Sequence, residues 1–146
     1  MPDAPPTPLL LIVTGAHLRA EVADRPLAYH LRIKVLQRLL DTDPGAATED
    51  DDRIVVCSDI WYLNHDHLRT LPSIAIGHPD VNALTAHLVP RLPTAFVIDG
   101  RCSVQLDPDL TDPVAACWGA DPAGTAQAVD AFTDRYLDAF IERVFE

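Results

Sequence analysis

Positive charge is scarce in this chain: 11 Lys and Arg face 22 Asp and Glu, leaving a formal net charge of −11 over 146 residues. A bare phosphate backbone would be repelled over most of such a surface, which excludes nucleic acid as a general partner. Long apolar runs are missing as well. Leu9–Val13 has no basic flank before it and falls far short of the roughly 20 residues that a bilayer-crossing helix needs. The expectation is a cytoplasmic protein with no membrane partner. Cysteine is sparse and odd in number: Cys57, Cys102 and Cys117 show no close metal-type pairing and frame no disulfide scaffold. Two of them sit in apolar strand-like runs, where a thiol behaves as a small hydrophobe. The phosphate-loop Gly-Lys-Ser/Thr and the three-glycine dinucleotide fingerprint are both lacking, so no cofactor is implied. No internal repeat interrupts the chain.

What is present is 48% hydrophobic content, enough to cover both faces of a sheet in one domain. After a proline-rich lead over residues 1–8, a single domain is expected over 9–146. Leu9–Val13 reads as a central strand, and residues 15–25 as a connection. Pro26 then opens a helix in which Leu27, Leu31, Val35 and Leu39 stack at four-residue steps, stopped by Asp41, Pro44 and Gly45. Glu49 to Asp52 form an acid run that reads as a solvated loop, since a calcium loop would need acids alternating around a glycine.

Arg53–Cys57 and Ser73–Ile76 are further short strands. Between them Trp61 to Leu68 is ambiguous, its aromatics pointing to packing and Asn64 to His67 to a turn or helix start. Asp80 is positioned to cap a helix through Val81, Leu84, Leu88 and Val89. Thr94–Ile98 and Cys102–Leu106 alternate around Asp99–Gly100, the signature of a β-hairpin. A last strand, Val114–Trp118, leads through a glycine-bracketed turn into one long closing helix. Asp121 caps it, Pro122 takes its first position, and Val129, Phe132, Tyr136, Leu137, Phe140, Ile141 and Val144 face inward. The pattern predicts an α/β fold of three layers, with a mainly parallel sheet of five or six strands, one hairpin excursion, and helices on both faces.

In open α/β sheets ligands gather beyond the carboxyl ends of the strands. Four segments reach that rim, Thr14–His17, Ser58–Asp59, Gly77–Asp80 and Trp118–Thr125, and within them stand Gly77, His78 and Asp80 after one strand and Gly119, Asp121, Gly124 and Thr125 after another. They form the candidate site for an anion, nucleotide or other small molecule, although tight turns and a capping Asp explain the second cluster without a ligand. His65 and His67, with Asp59 nearby, could supply metal ligands if the segment is extended. Histidine pairs at this spacing are common, and no third ligand is implied, so no metal is assigned. Five basic residues, Arg19, Arg25, Arg32, Lys34 and Arg38, crowd one segment and offer either an acidic-partner face or a solvated helix side. His17, His30 and His87 read as ordinary surface or helix-edge histidines, and Trp61 and Trp118 as core or interface anchors.

The blocks Ile74–Asp80 (IAIGHPD) and Val114–Ala120 (VAACWGA) resemble the strand-end His and strand-end Ala-Cys blocks of caspase-like cysteine peptidases. The resemblance covers two short pieces, with Gly77 before the histidine where that family has its glycine after it. It implies a hydrolase with Cys117 as nucleophile and His78 as base.

No set of nucleophile, base and oxyanion donors converges in the sequence, so the leading expectation is a non-catalytic binding, assembly or accessory module. It would act through a protein partner or by self-association. Homodimerisation through the last helix, with Phe145 extending its apolar area, or through a sheet edge would fit that role.

Overall fold

The computed structural model describes residues 9–42 and 52–145. The proline-rich lead, the helix stop at Pro44–Gly45 and the acids Glu49 to Asp51 lie outside the described residues. The sheet is built around β1 (Leu10–Thr14), an apolar run buried from end to end. Successive side chains alternate across a strand, so Leu10 and Ile12 enter one hydrophobic cluster while Leu11 and Val13 enter another. Parallel neighbours flank it, β2 (Ile54–Ser58) on one side and β3 (Ser73–Ile76) on the other. The last strand, β6 (Val114–Gly119), pairs parallel with β3.

Beyond β6 the direction changes. β5 (Cys102–Leu106) runs antiparallel to β6, and β4 (Thr94–Ile98) antiparallel to β5, giving the order β2-β1-β3-β6-β5-β4. The sheet is therefore mixed, which corrects the mainly parallel expectation. The cause is that Cys102, Val104 and Leu106 carry an apolar face belonging to the inner core, so β5 stays in register with β6 from Cys102↔Gly119 to Leu106↔Ala115. Ile98 opposes Cys102, so Asp99, Gly100 and Arg101 form a three-residue turn with Gly100 at φ 74°.

Helices cover both faces. α1 (Leu18–Thr42) begins eight residues before the predicted start and carries Pro26 inside it. His17 starts it: its carbonyl accepts the Glu21 amide, and its ring Nδ1 accepts the Arg19 amide at 3.1 Å. Pro26 is exposed, so the carbonyl one turn back, which loses its amide partner, faces water. Meanwhile Ala20, Asp24, Ala28, Leu31 and Val35 keep one continuous buried face.

The closing helix is two helices, α4 (Pro122–Arg135) and α5 (Leu137–Phe145), broken at Tyr136. The Tyr136 hydroxyl donates to the Ala95 carbonyl at 3.1 Å, and the break turns Leu137, Phe140, Ile141 and Val144 inward. The Phe132 and Phe140 rings meet edge-on at 5.5 Å, both fully buried, each contributing about 1.5–3 kcal/mol of burial free energy. Phe145, at the end of α5, is partly buried against this core, with the Arg53 guanidinium 5.4 Å from its ring centre.

The ambiguous stretch on the other face resolves into α2 (Asp59–Leu63) and a 3-10 turn at Asp66–Thr70, packed beside α3 (Ala83–Leu88). Asn82, not Asp80, caps α3, because only a buried side chain can reach both the new helix and the sheet beneath it. None of the described helices is long and apolar enough to cross a membrane.

Candidate functional site

β1, β2, β3 and β6 all point the same way, so Thr14, Ser58, Ile76 and Gly119 end on one rim. The hairpin tip joins them, because Cys102 at the start of β5 lies opposite Gly119. The polar side chains here are largely consumed by the fold. Asp59, buried, accepts the Ala16 amide at 3.0 Å and the Ile60 amide at 2.7 Å on one oxygen, and the Ala83 amide at 2.8 Å on the other. One carboxylate thereby ties the loop after β1 to the starts of α2 and α3.

Asn82 is wholly buried and uses both ends of its amide. Its Nδ2 donates to the Val13 and Ile76 carbonyls at 3.0 and 2.9 Å, while its Oδ1 accepts the Leu84 and Thr85 amides. The turn after β6 is built likewise: Asp121 accepts the Gly124 amide at 2.7 Å, and the Thr125 hydroxyl accepts the Gly119 amide at 3.1 Å. Glycine is needed at 119 and 124 because a β-carbon at either would press into main-chain atoms of Gly124 or of Arg101. These contacts occupy the four turn residues proposed as ligand contacts.

Gly77 and His78 are arranged differently. Gly77 adopts φ +124°, a conformation that side chains resist, and turns the chain so that His78 lies edge-on to Trp118 at 5.5 Å. The His78 Nδ1 accepts the Asp80 amide at 3.0 Å, and the exposed Asp80 carboxylate stands 3.6 Å from the same nitrogen. Trp118 is fixed from below, its indole N–H donating to Gln105, which donates in turn to the Val89 and Leu92 carbonyls. His78, Trp118, Ile98, Arg101 and Ser103 line an open cleft of about 210 Å³.

One rim group escaped the sequence reading. Asp24 is buried on α1 and takes no hydrogen bond from any described residue; burial lifts its carboxyl from 3.8 to about 6, only partly opposed by Arg19. Its position four residues from both Ala20 and Ala28 marks it as inward-facing only once the helix is known to start at Leu18.

His78 and Cys117 do not meet as nucleophile and base. Cys117 is fully buried in the cluster shared with α1 and α4, whereas its neighbour Trp118, which His78 touches, belongs to the opposite cluster. Burial drives the Cys117 thiol far above its ordinary range, so it stays protonated. Nor do His65, His67 and Asp59 form a ligand set: the Asp59 oxygens are bonded to amides, and His65 Nδ1 lies 2.7 Å from the Trp61 carbonyl. Among the described residues no group of three or more metal-ligating side chains comes together.

The surface carries a second feature. Leu18, Val22, Tyr29, Ile33 and Leu40 of α1 are between 37% and 77% exposed. At about 100° per residue they fall within about 60° of one another, although Leu36, at the same angle as Leu18, is buried in the core. Trp61, which the sequence placed as an anchor, is also substantially exposed, next to Ile60 on α2. No family model matches the chain, and no curated protein matches it.

Proposed function

We propose that this domain is a non-catalytic binding and assembly module that works through a protein partner. One observation carries the reading: five of the nine large apolar side chains left exposed among the described residues lie along one side of α1, while most polar groups of the rim are spent on internal hydrogen bonds. Scattered exposed hydrophobics need no explanation, but a contiguous strip on a solvent-facing helix marks an interaction surface.

The test is a photo-crosslinking amino acid placed at Ile33, and at exposed Asp130 as a control, in the chain expressed in its own cells. A discrete protein adduct from position 33 and none from 130 is expected. Absence of any adduct at 33 would refute the reading.

A second reading, small-molecule binding, draws on the cleft between His78, Trp118 and the hairpin tip, which combines an aromatic wall with the Ser103 hydroxyl, the Asp99 carboxylate and the guanidinium of Arg101, itself donating to Gln127 at 2.8 Å. A rise in melting temperature with a small anionic aromatic, lost in Trp118→Ala, would favour it.

A further inference from the structure

We infer that the cleft beside Trp118 takes a flat, uncharged molecule of one or two aromatic rings whose edge sets a carbonyl next to an N–H, an inference that rests on the small-molecule reading above. Strand register builds the floor. Trp118 lies opposite Ser103, and Ser103 opposite Val97, so the three side chains form one row across β6, β5 and β4, on the sheet face opposite the one that α1 and α4 cover. At the usual strand spacing that row is about 10 Å across. The next row belongs to Gln105, whose bonds to the Val89 and Leu92 carbonyls bring the chain after α3 over it, so the helical cover stops there and leaves Val97 51% exposed. A cavity of about 150 Å³ accepts one benzene ring, so the cleft, at about 210 Å³, has room for one or two rings. The Trp118 indole is already pinned by Gln105 and loses little freedom when a ring stacks on it.

The unspent polar groups set the chemistry of the occupant. Because His78 Nδ1 accepts the Asp80 amide, the neutral ring carries its proton on Nε2, and no described residue accepts from that N–H. The Ser103 hydroxyl and the Asp99 carboxylate also have no partner among the described residues, whereas Arg101 directs its Nε to Gln127. An amide-like edge answers this set: its carbonyl accepts from His78, and its N–H donates to Ser103 or Asp99. Charge decides against ions. Arg101 is offset by Asp99 on the same hairpin tip, and the Asp80 carboxylate stands 3.6 Å from His78 Nδ1, so the balance around the cleft is negative and a carboxylate is repelled. A cation gains from the acids but sets its own donors against those of His78 and Arg101.

The test uses the full chain and three probes, 2-naphthamide, 2-naphthoate and 2-naphthamidine, which share one ring system and differ in the charge of the head group. Binding is read from the NMR shift of the Trp118 indole N–H, assigned by its loss in Trp118→Phe. The amide is expected to bind at least tenfold tighter than either ion. His78→Phe keeps a ring beside Trp118 and removes the N–H, and should weaken the amide at least tenfold, while His78→Gln returns an N–H at similar reach and should bind it nearly as wild type does. Val97→Glu, an exposed position on the floor, should abolish binding of all three probes with an unchanged melting temperature. Either ion binding as tightly as the amide overturns the inference and leaves the small-molecule reading standing. Equal amide affinity in wild type, His78→Phe and His78→Gln does the same. Amide binding that survives Val97→Glu lies outside the cleft and overturns both, as does the absence of a shift with any probe.

Discussion

Asp24 lies directly against Gly77: a β-carbon on that glycine would stand 2.5 Å from the Asp24 carboxylate oxygen. The two residues come from α1 and from the end of β3, and each constrains the other. Gly77 can have no side chain because the carboxylate fills the space, and the carboxylate is buried because the bare glycine backbone closes over it. The pair sits directly below the turn that presents His78.

The proton on Asp24 gives this contact a pH dependence. Its folded carboxyl is raised from 3.8 to about 6, so the unfolded chain releases its proton first and the folded state loses stability from this group as pH climbs from about 4 to about 6. Asp24→Asn removes that loss. The variant should be about 1–3 kcal/mol more stable than wild type at pH 7 and nearly equal to it at pH 4, as measured by urea unfolding at each pH.

Removing Asn82 should be far more damaging. Its side chain satisfies two carbonyls of different strands and two amides of α3, all in the interior. Asn82→Ala strands those groups without water and should cost about 3–5 kcal/mol, seen as a lower denaturation midpoint with little change in slope. A loss under 1 kcal/mol would mean that the coupling of β1, β3 and α3 does not depend on this residue.

The three thiols should react in a fixed order. Cys57 is half-buried and burial lifts its thiol to about 11, whereas Cys117 is fully enclosed and shifted further in the same direction. Under native conditions an electrophile should modify Cys57 slowly and first, with Cys102 and Cys117 modified only as the domain unfolds. Rapid native labelling of Cys117 would restore the cysteine hydrolase.

The strands were legible because burial on both faces leaves continuous apolar runs such as Leu10–Val13, which need no knowledge of the rest of the chain. Helix limits were not. α1 carries apolar residues on its buried side and again on its exposed strip, so its periodicity is blurred where Leu18 and Val22 begin it, and Pro26 looks like the start. The break at Tyr136 depends on a hydroxyl reaching Ala95, 41 positions earlier, which no local pattern encodes. The same holds for the rim. Asp59 reads from the sequence only as a possible metal ligand until Ala16 and Ala83 are brought to it, and the His78–Cys117 pairing fails on a point of strand parity, since Cys117 and Trp118 face opposite ways. The capping role of Asp121 was readable because cap and amide lie three residues apart.

The break at Tyr136 bears on biosynthesis. The inner side of the sheet is sealed by Leu137, Phe140, Ile141 and Val144, and Arg143 holds the Leu110 and Thr111 carbonyls of the loop ahead of β6. A nascent chain therefore cannot close this domain until residue 144 has cleared the ribosomal exit tunnel. Until Leu137, Phe140, Ile141 and Val144 dock, the side of the sheet covered by α1 and α4 lacks its last cover, so closure of the domain comes late in synthesis.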